Sequence, residues 1–165
     1  MSQQQQQQQQ TTSQRFREAH KQENLAGAGD ARPTAQQIID AEQLAGSGMR
    51  GAVVLITGCS SGIGVETARA LHSTGADVFI TTRDVAKTDK VLADLKASST
   101  AGAGRLEVVR LELDSLKSVR EAAADFLQRS GGKLNILITN AGQCLSAHHT
   151  RRHRESVATT FAPCC

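Results

Sequence analysis

Aromatic side chains are nearly absent from this sequence. They make up 2 % of its 165 residues, as four Phe with no Trp and no Tyr. The absence of Tyr excludes any mechanism in which a phenol of this chain donates a proton to substrate. Long apolar runs are absent as well. The longest aliphatic run, Ala52 to Ile56, is far too short to span a bilayer, so we expect no membrane partner. The polar N-terminus also predicts no secretory signal.

The sequence has little net charge and no recognisable cysteine pattern. The formal net charge of +3 is too small to predict a nucleic-acid partner, and the Arg-Arg-His-Arg run at residues 151–154 is too short to change this. The four cysteines show neither disulfide nor zinc spacing, and the histidines near the C-terminus add no metal-ligand template. The sequence therefore predicts no metal site and a reducing, cytoplasmic setting. The cysteines and histidines considered for a metal site are Cys59, Cys144, Cys164, Cys165, His148, His149 and His153.

Three segments differ in composition. Residues 1–32 begin with a glutamine tract and stay polar, which predicts a disordered leader because so little apolar surface can be buried. Residues 33–142 carry the periodic apolar pattern of a folded domain. Residues 143–165 lose that pattern and form an irregular basic tail. In the central segment, Thr34 is expected to cap a first helix that carries Ile38, Ile39 and Leu44 and ends at Gly46 and Gly48.

Strand and helix patterns then alternate along the central segment. Short apolar runs without alternation are typical of strands covered on both faces of a parallel sheet, and the segments between them have helical spacing. This order, β-α-β-α-β-α-β, predicts an α/β fold: a partial Rossmann-like, doubly wound parallel sheet. Each of the three later helices carries apolar residues. In the first, Ile63, Ala68 and Leu71 lie on or near one side; the second has Val85, Val91, Leu92 and Leu95 as its apolar positions; in the third, we expect Val119, Ala123, Phe126 and Leu127 to face inward.

A glycine-rich stretch lies between the first strand and the following helix. Gly58 allows a sharp turn off the strand, Gly62 allows the backbone to approach a pyrophosphate, and Gly64 allows the helix to pack closely on the sheet. The free N–H groups of the helix, together with the hydroxyls of Ser60 and Ser61, are suited to an anion. A tight turn that only packs is the alternative interpretation. The strand before the loop and the helix after it favour a phosphate site.

The spacing Thr-Gly-x-x-x-Gly-x-Gly at residues 57–64 resembles the short-chain dehydrogenase/reductase family, and its retinol-dehydrogenase-like branch in particular. Thr139–Gly142 resembles the Asn-Asn-Ala-Gly motif of that family, with Thr139 in place of the first Asn. The resemblance implies an NAD(P)-binding oxidoreductase. It further implies that the cofactor is held by Gly58, Ser60, Ser61, Gly62, Ile63, Gly64, Arg83, Asp114, Asn140, Ala141 and Gly142.

The choice between NADP and NAD depends on the end of the second strand, where the ribose 2′ position is read. Arg83 there offers donors suited to a 2′-phosphate, and an Arg at this place goes with NADP in the resembled family. Asp84 could instead accept from a ribose hydroxyl or cap the next helix. The larger charge-assisted interaction of Arg83 favours NADP, with NAD as the alternative.

No catalytic residue can be assigned. The resembled family uses a Tyr, a Lys four residues later and a Ser, all beyond the Asn-Ala-Gly motif. This chain has no Tyr, and no Lys follows Lys133. Neither Ser146 nor Ser156 lies in a segment like the catalytic strand. Whether the chain is an enzyme is therefore open, and we expect it to be inactive alone and truncated after Gly142. Residues 149–156 can be encoded so that the frame one nucleotide later reads Thr-Arg-Asp-Gly-Ile-Glu-Ser, which suggests a frameshift.

Three interpretations stay open. The chain is an inactive relative that retains NADP affinity, or a fragment or frameshifted gene model of an active reductase, or a non-catalytic interaction or regulatory protein. The third would use the glutamine tract or the apolar edge of the fourth strand, which also predicts self-association. A small-molecule substrate is expected only if the missing C-terminal half is present. The substrate itself is not indicated by any residue.

Overall fold

The computed structural model describes residues 16–27, 29–98 and 104–142. The chain divides into two units, Met1–Glu42 and Gln43–Cys165. In the first unit, single-turn 3-10 helices span Glu18–His20 and Gln22–Asn24, where the sequence predicts no order. After these helices, the turn at Asp30 is held by local hydrogen bonds. The Asp30 carboxylate accepts from Ala26 N at 3.1 Å and from Arg32 N at 3.0 Å. The glutamine tract lies outside the described residues.

Helix α1 spans Ala35–Ala41 and begins as predicted. Thr34 Oγ1 accepts from Gln37 N, and the Gln37 side chain accepts from Thr34 N, which completes a capping box. The predicted helix end at Gly46 and Gly48 is wrong. The chain leaves the helix at Gln43, whose φ of 55° lies in the left-handed region. Leu44 consequently follows the helix and is no part of its apolar face.

Four parallel strands form one sheet in the order β3-β2-β1-β4, which confirms the predicted partial Rossmann-like fold. Strand β1 lies between two neighbours, with Val54 opposite Val78 on one side and Ile136 on the other. Since β1 and β2 are covered on both faces, their continuous apolar runs are explained. The strands are β1 Val53–Ile56, β2 Asp77–Thr82, β3 Leu106–Arg110 and β4 Ile136–Ile138.

Three helices connect these strands. Ser115 caps the last of them as predicted, because its hydroxyl accepts from Ser118 N at 3.2 Å. Gly131, in the left-handed conformation with φ 66°, ends the same helix. The helices are α2 Ile63–Ser73, α3 Val85–Ala97 and α4 Leu116–Ser130.

The sheet has an apolar core on each face. On one face, residues of α2 and α3 such as Ala68 and Leu95 pack with Val54, Ile56 and Ile80. On the other face, α4 contributes Phe126, whose ring meets Phe79 edge to face at a centroid distance of 5.0 Å. The two layers hold the carboxyl ends of the strands at one edge of the sheet, where the glycine-rich loop lies.

Several predicted inward positions are corrected. In α4 the buried residues are Ala122, Phe126 and Ser130, one helical turn apart, whereas Ala123 is exposed and Leu127 is 48 % exposed. Phe126 is thus buried against Phe79 as predicted, but its neighbours in the buried stripe are Ala122 and Ser130 and not the predicted Ala123 and Leu127. In α2 and α3, the first residues Ile63 and Val85 are exposed, because each opens its helix at the sheet edge instead of facing the core; Thr88 is fully buried.

Candidate functional site

The loop between β1 and α2 depends on two glycine conformations. Gly58 has φ 73°, and Gly62, the N-cap of α2, has φ 67° and ψ −139°. Residues other than glycine rarely adopt either backbone conformation. The loop therefore turns off the strand at Gly58 and enters the helix at Gly62 as the sequence predicts.

Gly58 and Gly64 are packed against the end of β4. A Cβ atom on Gly58 would lie 2.7 Å from Ala141 Cα. A Cβ atom on Gly64 would lie 2.6 Å from both Asn140 Nδ2 and Gly58 O. Real Cβ atoms essentially never make contacts this short. The predicted reason for Gly64, close packing of the helix, thus has a definite partner in Asn140.

Hydrogen bonds join the two segments as well. Asn140 Nδ2 donates to Thr57 O at 3.0 Å and to Gly58 O at 3.1 Å. Ala141 N donates to Thr57 Oγ1 at 3.0 Å. These bonds satisfy the polar groups where two adjacent strands end, so the loop is held on its β4 side by both packing and hydrogen bonding.

The middle of the loop is open. A Cβ atom on Gly62 would meet no other atom within 4 Å, and Ser60, Ser61 and Ile63 are exposed around it. Among the described residues, the N–H groups of Ile63 and Gly64 at the start of α2 have no hydrogen-bond partner, whereas Val65 N donates to Gly62 O at 3.1 Å. The combination of free N–H groups, hydroxyls and open backbone suits a phosphate group.

Strand β2 holds the loop on its other side. Cys59 N donates to Thr81 O at 3.2 Å, and Gly58 N donates to Thr81 Oγ1 at 3.4 Å. Arg83 follows two residues later, just beyond the end of β2, and it is exposed. Within the described part of the chain it forms no hydrogen bond and no ion pair. A guanidinium beside the loop is therefore available to an anionic ligand.

The predicted residues fall into two groups. The structure brings Gly58 and Gly64 into contact with Asn140 and Ala141, while Gly142 follows at the surface. Arg83 and Asp114 do not touch that cluster. They lie after β2 and β3, at the same sheet edge, and Asp114 is exposed in the turn before α4.

Two threonines outside the predicted cofactor-binding set complete the site. Thr57, the first residue of the motif at residues 57–64, and Thr81 provide the polar contacts that flank the loop. Thr81 lies in no motif, because a threonine at a strand end carries no distinctive signal. Cys59 is fully buried, and burial raises the pKa of its thiol to about 11. The thiol donates to Ile56 O at 3.6 Å, so it faces the core and not the open side of the loop.

Two further findings concern the described residues. No three His, Cys, Asp or Glu side chains there lie close enough together to hold a metal ion. The helices within residues 16–27, 29–98 and 104–142 are also too short or too polar to cross a membrane. The histidines and cysteines of the basic tail lie outside these residues.

Comparison with known proteins agrees with this geometry. The family model for short chain dehydrogenase matches residues 52–162. Oxidoreductase calI of Penicillium decumbens is 50% identical over 116 residues, which are 70% of this chain and 33% of that protein. Retinol dehydrogenase 12 of Homo sapiens is 42% identical over 92 residues, 56% of this chain and 28% of that protein. The chain thus spans about a third of the length of the curated relatives it matches.

Solved structures with the same fold include proteins crystallised with a phosphorylated dinucleotide. A metagenomic short-chain oxidoreductase in complex with NADP has a TM-score of 0.53 at 34% identity, covering 59% of this chain and 42% of that one. L-sorbose reductase of Gluconobacter frateurii, complexed with NADPH and L-sorbose, has a TM-score of 0.50 at 30% identity. There the match covers 58% of this chain and 35% of that one.

Proposed function

Because the chain belongs to the short-chain dehydrogenase family, we propose that residues 33–142 are a partial domain that binds a nicotinamide dinucleotide, with NADP preferred to NAD. The observation that carries the proposal is the open backbone at Gly62. It lies between two glycines, Gly58 and Gly64, that are packed too tightly for any side chain. A loop that serves only as a turn would not need an open backbone position between two glycines that both lack room for a side chain.

Different residues of the site would contact different parts of the dinucleotide. The loop and the start of α2 would bind the pyrophosphate, and Asn140 and Ala141 would hold the loop in shape. Asp114, exposed after β3, would contact the adenine. The complete proposed set is Gly58, Ser60, Ser61, Gly62, Ile63, Gly64, Arg83, Asp114, Asn140, Ala141 and Gly142.

Preference for NADP rests on Arg83. Its exposed guanidinium has no carboxylate partner within the described residues, so a 2′-phosphate would be its first strong charge partner. The NADP or NADPH in two similar structures supports the same choice. Asp84, the residue that would favour a ribose hydroxyl, occupies the turn directly before α3 and uses its backbone N–H and carbonyl there.

The reaction belongs to the proposal as well. Nicotinamide chemistry in this family converts carbonyls and alcohols into one another, and the dinucleotide supplies the hydride when bound. A proton donor is also needed, and the 165 residues contain no Tyr. We therefore assign dinucleotide binding to this chain, without turnover by it alone. We assign oxidoreduction of a carbonyl or alcohol only to a longer enzyme that contains this dinucleotide-binding segment together with a proton donor.

Isothermal titration of the full chain with NADPH tests the binding site. The wild-type chain should bind, and Gly62→Ala should bind at least about tenfold more weakly, because it forces a strained backbone and fills the open space. Gly131→Ala is the matched control: φ is 66° there and the space is also open, but the residue ends α4. It should lower stability without changing affinity. A folded wild-type chain that shows no NADPH binding would refute the proposal.

One observation favours a second function, self-association. Strand β4 lies at the edge of the described sheet, paired with β1 alone, and Leu137 on it is 53 % exposed. An unpaired edge with apolar side chains is a template for pairing with a second copy of the chain. Light scattering after gel filtration should then show a dimer, and Leu137→Lys should convert it to monomer. A monomeric wild-type chain at high concentration would exclude this function.

A further inference from the structure

Two buried threonines face each other beside Arg83. Thr82 is the last residue of β2 and Thr88 lies in the first turns of α3, where they are 6% and 0% exposed. Their hydroxyl oxygens are 2.8 Å apart. A hydroxyl without a partner would be costly at such depth, so this pair holds strand end and helix start together.

The same hydroxyls reach the backbone of Asp84. Thr82 Oγ1 accepts from Asp84 N at 3.2 Å. The Asp84 carbonyl oxygen lies 2.9 Å from Thr88 Oγ1 and 3.2 Å from Thr82 Oγ1. Each hydroxyl has one proton to donate. One of the two protons is therefore donated to the Asp84 carbonyl oxygen, and the other forms the hydrogen bond between the two threonines. Thr82 is itself fixed in the sheet, because its carbonyl accepts from Leu111 N at 2.8 Å.

Arg83 is the residue enclosed by these bonds. The backbone on both of its sides is fixed, yet its side chain is exposed and has no partner in the described part of the chain. Other arginines at the sheet behave differently: Arg105 and Arg129 are held by carboxylates at 2.8 and 2.5 Å. A rigid base under a free guanidinium reduces the entropy lost when that group binds an anion.

We propose that the Thr82–Thr88 hydroxyl pair is a positioning device for Arg83 and sets the preference of this chain for a 2′-phosphorylated dinucleotide. The proposal rests on the proposed NADP site. It adds that selectivity depends on two side chains that touch no ligand. Thr88 is the more informative of the two, because Thr82 Oγ1 also accepts from Asp84 N, so that its loss would leave a backbone donor unpaired as well.

Titration of the full chain with NADPH and with NADH tests this role. Thr88→Val should weaken NADPH binding about fivefold, the effect of one net hydrogen bond, and change NADH binding less than about twofold. Thr88→Ser keeps the hydroxyl and should restore the preference for NADPH. Thermal unfolding of each variant, followed by circular dichroism, identifies any that do not fold. If Thr88→Val does not fold, Thr82→Val takes its place, because it removes the other hydroxyl of the pair and should also weaken NADPH binding more than NADH binding.

A double-mutant cycle shows whether the effect passes through Arg83. In an Arg83→Leu background, Thr88→Val should cause no further loss of NADPH affinity, because the group it positions is gone. An equal loss in both backgrounds, or equal weakening of NADPH and NADH, would overturn the positioning role and leave the NADP site intact. A folded wild-type chain that binds neither dinucleotide would refute both proposals together.

Discussion

Gly64 and Asn140 interlock: any side chain at residue 64 would place its Cβ atom 2.6 Å from the Asn140 amide nitrogen. One residue lies in the first turn of α2, the other just after β4. The same amide nitrogen donates to the carbonyl oxygens of Thr57 and Gly58. The side chain that fills the space beside Gly64 is thus also the one that holds the glycine-rich loop.

Gly64→Ala should destabilise the protein. The added methyl group meets Asn140 Nδ2 and a backbone oxygen, so either α2 or Asn140 must move, which typically costs about 1–3 kcal/mol. Urea unfolding followed by circular dichroism measures the change. The control is Gly142→Ala, where the nearest atom to the new Cβ, Asn140 O, is 3.9 Å away. Equal stability of the two variants would contradict the interlock.

Substitution of Arg83 should separate the two cofactors. If Arg83 binds the 2′-phosphate as proposed, Arg83→Leu removes a charge-assisted interaction, so NADPH affinity should fall by about ten- to a hundredfold while NADH affinity hardly changes. Arg120→Leu is the charge-matched control. Arg120 is exposed on α4, which packs on the face of the sheet opposite to α2 and α3. Parallel titrations of both variants measure the ratio. Equal losses for NADPH and NADH in the Arg83 variant would count against a 2′-phosphate contact.

The sequence predicts the frame of this site well. Continuous apolar runs indicate the strands, and Thr34 and Ser115 signal their helices because capping is a local interaction. The glycines at residues 58 and 62 indicate the loop for the same reason, since their backbone conformations are properties of single residues, whereas Gly64 is required by its contact with Asn140.

Tertiary contacts decide what the sequence leaves out. Leu127 has the more apolar side chain, yet Ala122 faces the sheet, because the turn that meets Phe79 is set by how α4 lies on β2. The helix end at Gln43 requires a left-handed residue that no glycine marks. The Thr82–Thr88 pair joins two elements, and nothing in either segment alone predicts it.

Acid should weaken the fold through Asp77. Burial alone would raise the pKa of Asp77, but hydrogen bonds from the side chain and backbone of Arg105 outweigh it, and the pKa lies below its ordinary value. A lowered folded-state pKa stabilises the protein above the unfolded value, about 3.9, and this contribution is lost as pH falls below it. Stability measured by urea unfolding from pH 7 to pH 2 should show the loss.

Asp77→Asn isolates this contribution. The variant should be about 1 kcal/mol less stable at pH 7 and should lose less stability than wild type below pH about 4. Glu121→Gln is the control, because the Glu121 carboxylate lies 3.8 Å from Lys117 in an exposed pair. A wild-type and an Asp77 variant with the same pH profile would show that Arg105 does not stabilise the ionised carboxylate.

Cys59 should resist thiol reagents in the folded protein. Its side chain is fully buried and its pKa is raised to about 11, so at pH 8 about one thiol in a thousand is ionised. Treatment with iodoacetamide, followed by mass spectrometry of the peptide that contains Cys59, should show modification in urea and almost none without it. Rapid labelling of the native chain would mean that the loop opens.

The bonds that hold the glycine-rich loop also fix the order in which the molecule can be built. Gly58 O and Asn140 Nδ2 pair across 82 residues, and Val53 N and Asn135 Oδ1 pair across the same separation at the other end of β1 and β4. Loop closure over such a separation is slow compared with the formation of a helix. During synthesis the glycines therefore emerge long before the strand that holds them. Under the proposed function, dinucleotide affinity would appear only after β4 has docked, and a ligand that binds only the finished site would report that event.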